Sequence, residues 1–387
     1  MSEMSNSSGK SFWNKVKNIT DHRSREITQP LFDNSGTLQW GDQEIRNILI
    51  DKHINRSDIH NNYFFDESFH STVNSNNDNL LNSDGPIPEI FERSISIKEI
   101  KEELSNLNGQ GTPGPPSEGL TSPGIPPILL KKSIDEISPF LKTLFDILWP
   151  VGDFPKVLKK DIKFFIAKPN KDDYNTAKSY RMLTLSMCIS KLYDSIFSKR
   201  FSIWLEQISF DNDQFAYRKN LSCQHAVFKL IQDSIEGFNK GHITIAVLID
   251  LEGAFDALWH QGIIYQLHKA GLRGQALNIV WNILHSRNAT IKVNNSQTDL
   301  HDLNTGACQG SSSAAVMFTF NIREMMKNVQ SCKIKYSDDG NLYITGPPEQ
   351  AQEMANILSQ DLNNIAQLCY KFVENPYKYV KNQILNS

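Results

Sequence analysis

The chain has 387 residues, 39% hydrophobic and 10% aromatic, with Lys plus Arg at 40 against Asp plus Glu at 43 and a net charge of −3. At ~150 residues per domain this predicts two to three domains, and the composition excludes wholesale disorder. The charge balance excludes a uniformly basic nucleic-acid coat but leaves room for a local basic groove. Five scattered cysteines (Cys188, Cys223, Cys308, Cys332 and Cys369), with no C-x-x-C pair, argue against a disulfide framework or structural zinc and suit a reducing compartment. The first ten residues hold no apolar core for a signal peptide. Runs such as Ile243 to Ile249 are too short to span a bilayer. An intracellular protein, neither secreted nor membrane-bound, is expected.

In chain order, residues 1–97 read as a linker-like extension, part loop and part short helix. Asn, Ser, Asp and His dominate from Asp51 to Asp84, and the Tyr63-Phe64-Phe65 cluster is the one candidate for a small docking helix. Ile97, Ile100 and Leu104 then recur at helical spacing behind Ser94 and Ser96. The Gly- and Pro-dense stretch 109–127 predicts a loop, and helical periodicity returns over 128–149.

Residues 151–200 carry eleven Lys or Arg against five Asp. That local excess is either an anion-binding face or the solvated surface on which lysines ordinarily lie. The β-branched run HITIAVLI at 242–249 predicts a buried strand ending at Asp250. Two helices broken near Gly271 and Gly274 are expected over 262–286, a hairpin over 289–303 and a helix over 312–327. KIKYSDDGNLYIT at 333–345 predicts a second hairpin with Asp338 and Asp339 at its turn.

Singly, an Asp at a strand end is a common cap and Asp-Asp-Gly a common turn. Together, three carboxylates on two strands, with no Lys or Arg beside them in sequence, fit a divalent-cation site. Magnesium prefers oxygen ligands and takes few protein carboxylates when phosphates complete its shell. Two such ions support phosphoryl transfer.

An ordered series of motifs gives this chemistry a context. KPNKDDYNTAKSYRMLTLSMCISKLYDSIFSKR (168–200), DQFAYRKNLSCQHAV (213–227), IDLEGAFDALWH (249–260), TGACQGSSSAAVMFTFNI (305–322), YSDD (336–339) and NPYK (375–378) follow one another. The series resembles the reverse transcriptase region of non-LTR (LINE-type) retrotransposons, in the jockey-like and CR-type style, from about residue 98 to the end. FWNKVKN at 12–18 resembles the segment joining endonuclease to polymerase in these elements.

The resemblance implies an α+β right-hand polymerase fold, with fingers over 98–228 and a palm over 229–387 built on an antiparallel sheet backed by helices. It implies an RNA-directed DNA polymerase that uses an RNA template, a DNA primer and dNTPs, with two Mg²⁺ ions or Mn²⁺ in their place; it leaves the oligomeric state open. Asp250 and Asp338 would hold the ions, with Asp339 in support and the Leu251 carbonyl as an extra ligand. Phe255 falls where the family places a steric gate against a ribose 2′-OH, although an aromatic ring there also suits plain core packing. Asp256 completes the Ala-Phe-Asp motif without a metal role.

Lys168 and Arg181 match positions that grip the triphosphate, for which a point charge and a planar fork are suited. Gln309 and Gly310 match the pair beside nucleotide and template, and Lys378 matches a candidate general acid for pyrophosphate.

The pattern also departs from the family's. Gly-Pro-Asp-Gly becomes GPPSEG at 114–119, Tyr-Arg-Pro-Ile becomes YRML at 180–183, Ala216 replaces a Gly, and the Pro after Gln-Gly-Ser is lost in SSAAV at 312–316. The chain ends at Ser387, so a thumb, a Cys/His knuckle and RNase H are expected to be absent, as is an endonuclease ahead of residue 1. The alternative is an impaired retroelement relic that at most binds nucleic acid. An RNA-dependent RNA polymerase is disfavoured by Phe255, where those enzymes usually carry a polar residue. Group II intron and telomerase-type polymerases are disfavoured by the jockey-like N-terminal segment.

Overall fold

The structure is a computed structural model and describes residues 27, 29–54, 66–111, 114–115, 124–208, 211–250, 255, 258–303, 306–307, 310–372 and 383–385. These begin with a ribbon of β1 (Leu31–Phe32) and β2 (Leu38–Gln39). Helices α1 (Asp42–His53), α2 (Glu67–Leu81), α3 (Glu89–Glu92), α4 (Ile97–Asn106), α5 (Pro127–Lys132) and α6 (Ile134–Val151) follow. Next come β3 (Lys160–Ala167), β4 (Tyr180–Ser186), α7 (Cys188–Gln207), α8 (Cys223–Phe238), β5 (Ile243–Asp250), α9 (His260–Lys269) and α10 (Gly274–Leu284). The order ends with β6 (Arg287–Val293), β7 (Ser296–Leu303), α11 (Ser312–Met325), β8 (Cys332–Tyr336), β9 (Asp339–Gly346), α12 (Ala351–Phe372) and β10 (Gln383–Leu385).

Local sequence explains many boundaries. Ser96 and Glu99 form a reciprocal capping box at the start of α4, with the Ser96 N–H donating to the Glu99 carboxylate at 2.8 Å. Helix α6 ends at Gly152 in the left-handed region, and the α9–α10 break falls at Gly271 and Gly274, both at positive φ. Asn294, at φ 49°, turns β6 into β7.

The N-terminal expectation is corrected. Where 27–97 is described, it is folded into the body of the protein rather than linker-like. Helix α2 is 15 residues long despite its Asn and Ser content, because Asp66 caps it and His70, Val73, Asn77 and Leu80 form one buried stripe. His70 stacks on Trp259 with ring centroids 3.9 Å apart. Ile45, Leu49 and Ile50 of α1 share a core with Phe165, Met182 and Ile291. The Tyr63-Phe64-Phe65 cluster lies outside the described residues, as does FWNKVKN.

Two four-stranded sheets organise the rest. One runs β4-β3-β6-β7, with β3 parallel to β6 and the other pairs antiparallel. Arg287 on β6 pairs with Asp161 on β3 at 2.8 Å, both side chains buried. This sheet crosses the 228/229 boundary expected from the motifs: the β6–β7 hairpin comes from the later segment and joins strands of the earlier one. The main hydrophobic core crosses it too, uniting Phe91, Phe145, Tyr193, Ile263, Leu277 and Phe320.

The second sheet, β10-β5-β9-β8, is antiparallel throughout. Its two faces follow from strand alternation. Val247, Ile249 and Leu342 pack with Phe318 and Ile322 of α11 and Leu358 and Ile365 of α12. Ala246, Ile334 and Tyr343 pack on the opposite face with Ala226 and Leu230 of α8. The mixed helix-and-sheet architecture is that of an α+β, polymerase-like fold. Among the described residues no helix is long and apolar enough to cross a membrane.

Candidate active site

Strand β5 runs out of the core and ends on Asp250, whose cross-strand partner is Asp339, the first residue of β9. Asp338 occupies the turn before it. Register thus sets Asp250 opposite Asp339, with Asp338 one residue before it on the neighbouring strand's turn. The next residues on that face, Leu248 and Asn341, are also partners, and Leu248 is exposed. Helix α8 packs on this face through Ala226 and Leu230.

The turn itself is a tight one. Ser337 adopts φ 59°, a left-handed conformation uncommon for a non-glycine residue. Gly340 follows, and a Cβ there would sit 2.4 Å from Met326 Cε, the far end of a side chain that would have to shift. Like charges directly opposed on a sheet destabilise it unless a cation lies between them. Oxygen donors on adjacent strands suit a hard divalent cation. Among the described side chains no three His, Cys, Asp or Glu come together; the Asp250 side chain lies outside them.

The other expected residues divide into two groups. Lys168 follows β3 and keeps the ladder going, its N–H donating to the Ser179 carbonyl at 2.8 Å. Arg181 on β4 is exposed and pairs with Ile166. Strand alternation puts Lys168 and Arg181 on one face of the hairpin, two residues apart. Phe255 is half-buried, with its ring 4.8 Å from that of Phe318. Gly310, at φ 117°, approaches β4 so closely that a Cβ would lie 3.3 Å from the Thr184 carbonyl oxygen. Leu251, Asp256, Gln309 and Lys378 lie outside the described residues.

The segments around Phe255 and Gly310 are tied together. Ala307 N–H donates to the Phe255 carbonyl at 2.7 Å, and Gly306 N–H to the Leu258 carbonyl at 2.9 Å. His260 lies 2.7 Å from the Gly306 carbonyl through Nε2. Helix α11, which lost the expected proline, starts on a different device. Ser311 caps it, and the buried Asp194 carboxylate of α7 accepts from Ser311 Oγ at 2.9 Å, from Ser312 N–H at 2.8 Å and from Ser313 Oγ. Burial pushes the Asp194 pKa up, and these donors pull against it. Sequence reasoning passed over Asp194; the available signal was a lone carboxylate inside the apolar stripe of α7.

The Reverse transcriptase (RNA-dependent DNA polymerase) family model matches residues 166–373. The chain is 23% identical over 383 residues to the probable RNA-directed DNA polymerase from transposon BS of Drosophila melanogaster, a match covering 96% of this chain and 40% of that protein. It is 22% identical over 219 residues to the RNA-directed DNA polymerase from mobile element jockey of Drosophila funebris, covering 56% of this chain and 23% of that protein. The chain belongs to the reverse transcriptase (RNA-dependent DNA polymerase) family. It spans less than half the length of the curated relatives it matches.

Proposed function

We propose that this chain forms the fingers and palm of an RNA-directed DNA polymerase that extends a DNA primer on an RNA template. The register of Asp250 against Asp339, with Asp338 in the adjoining turn, is the observation that carries this reading. Asp250, Asp338 and Asp339, with the Leu251 carbonyl, would hold two Mg²⁺ ions. Bound there, the metal supplies charge neutralisation at the primer oxygen, the α-phosphate and the leaving pyrophosphate.

The chain's own groups orient the reactants. Lys168 and Arg181 would hold the triphosphate from the β3–β4 hairpin, Arg181 through its fork and Lys168 as a point charge. Phe255 would crowd a 2′-OH, its ring braced against Phe318. Gly310 would let the backbone approach nucleotide and template closely, with Gln309 beside it. Lys378 keeps the role of general acid toward pyrophosphate. Lys159, Lys163 and Arg200 of the basic stretch 151–200 are buried, so its exposed lysines and Arg181 would contribute phosphate contacts that weaken as salt rises.

Primer extension on poly(rA)/oligo(dT) with Mg²⁺ and dTTP tests the proposal, beside Asp338→Ala. Extension by the wild type and a loss of at least about 10³-fold in the variant is expected, since removing a metal ligand removes charge stabilisation of the transition state. Equal activity in both would sink the site assignment. No extension by either, at high protein and low salt, would favour the alternative of a relic that at most binds nucleic acid.

A further inference from the structure

Residues 211–217, which run into the QFAYR block at 214–218, have no role in the chemistry above, yet they lie against the carboxylate hairpin. They form a short parallel bridge to β8. Lys335 N–H donates to the Asp213 carbonyl at 2.8 Å, and Phe215 N–H donates to the Lys335 carbonyl at 2.9 Å. Lys335 and Asp211 pin the segment with a buried ion pair. Burial pulls the Lys335 ammonium down to about 7.

Gln214, 1% exposed, occupies the centre of this segment. Its Oε1 accepts from Ala216 N–H at 2.9 Å and from Ser337 N–H at 3.3 Å. Ser337 Oγ in turn donates to the Tyr217 hydroxyl at 3.3 Å. Ser337 is the residue at positive φ whose conformation delivers Asp338 and Asp339 to the sheet end. Such a conformation persists only when its surroundings over-determine it.

We infer that Gln214 is a positioning residue: through the Ser337 N–H it holds the turn in the conformation that lets the Asp338–Asp339 pair take a divalent cation. This rests on the proposed metal site, and it adds a fixed hydrogen bond on which that site depends. The Gln214 carboxamide touches neither nucleotide nor metal in this scheme; it acts through the backbone of the turn. Its Nε2 has no hydrogen-bond partner among the described residues, so the amide is retained at the cost of a buried donor.

The test is Gln214→Met, which keeps length and apolar volume and removes the acceptor, beside Tyr217→Phe. Exchange of the Ser337 amide, Mn²⁺ affinity by electron paramagnetic resonance and the kcat and KM for dTTP are measured on the full chain. In Gln214→Met the Ser337 amide should lose its protection while the amides of Ile334 and Leu342 keep theirs. Mn²⁺ affinity and kcat should each fall about 10-fold, with KM for dTTP within about two-fold, matching the loss of roughly one hydrogen bond's worth of turn stability. Unchanged Ser337 protection and unchanged Mn²⁺ affinity would overturn the inference, as would a uniform loss of protection across the sheet. If the wild type itself binds no Mn²⁺, the metal-site reading fails, and the Ser337 amide alone decides whether Gln214 sets the turn. Tyr217→Phe, which leaves the Ser337 N–H bond intact, is expected to keep both protection and affinity.

Discussion

His260 shows at the scale of one residue how the active-site loops are tied to the fold. It is 1% exposed, bonded to Gly306 through Nε2, and its Nδ1 has no partner among the described residues. Burial lowers its pKa from 6.5 to about 4; the Gly306 carbonyl opposes this and the nearby charges of His285 and Arg287 add to it. The folded state therefore resists protonation that the unfolded chain accepts. The stability this represents is fully present above pH 6.5 and is lost as pH falls from 6.5 to about 4. The loss is roughly 3 kcal/mol at 1.36 kcal/mol per unit. Urea unfolding at pH 7 and pH 4 should show the wild type losing more stability than His260→Gln by about that amount, and equal pH slopes would refute it. Nothing in WHQGII announces this role, because the partner carbonyl lies 46 residues away.

At the scale of elements, the joint between α7 and α11 replaces a local signal with a tertiary one. The family's proline after Gln-Gly-Ser would start the helix by fixing φ. Here Ser311 and the buried Asp194 satisfy the first N–H groups of α11 instead. The carboxylate also favours the positive end of the helix dipole. Asp194→Ala strands these donors and should lower unfolding stability by about 3 kcal/mol, and Asp194→Asn, which keeps an acceptor, by roughly half that. Denaturant midpoints read both; a variant as stable as the wild type would show that water replaces the carboxylate. Helix propensity and periodicity made α11 itself legible in SSAAVMFTFNI. The cap was not legible, since it comes from another helix.

At the scale of the molecule, the described residues of 27–97 pack into the same cores as the helices and sheets that follow. Leu80, Ile90, Phe91 and Ile95 enter the main core beside Trp149, Phe197 and Phe201. Leu31, Leu49 and Ile50 close the core over β3, β4 and β6. A chain starting at residue 98, where the polymerase motifs begin, would expose all of these partners to water. It is expected to be insoluble or to unfold without a cooperative transition, while the full chain melts cooperatively; circular dichroism and size-exclusion chromatography distinguish the two. A soluble, cooperatively folding 98–387 fragment would show that residues 27–97 only decorate the fold. These seven apolar side chains, lost from the cores at ~2–5 kcal/mol each, match or exceed the stability of an ordinary domain.

Legible in the amino-acid order alone were the family, the two hairpins, the helix breaks at Gly271 and Gly274, and the strand that ends on Asp250. These rest on short-range physics: period-two and period-3.6 patterning, capping residues, turn residues, and motifs in fixed order. The fold alone sets Asp250 opposite Asp339, because register belongs to a pair of strands and these two residues lie 89 positions apart. It alone joined β6 to β3 across the expected domain boundary and folded an Asn-rich stretch into a core helix. The tie of Gln214 to Ser337 and of Asp194 to α11 likewise came from the fold. Each is a contact between residues more than 100 positions apart, and a buried polar group's partner is set by geometry that composition and periodicity do not encode.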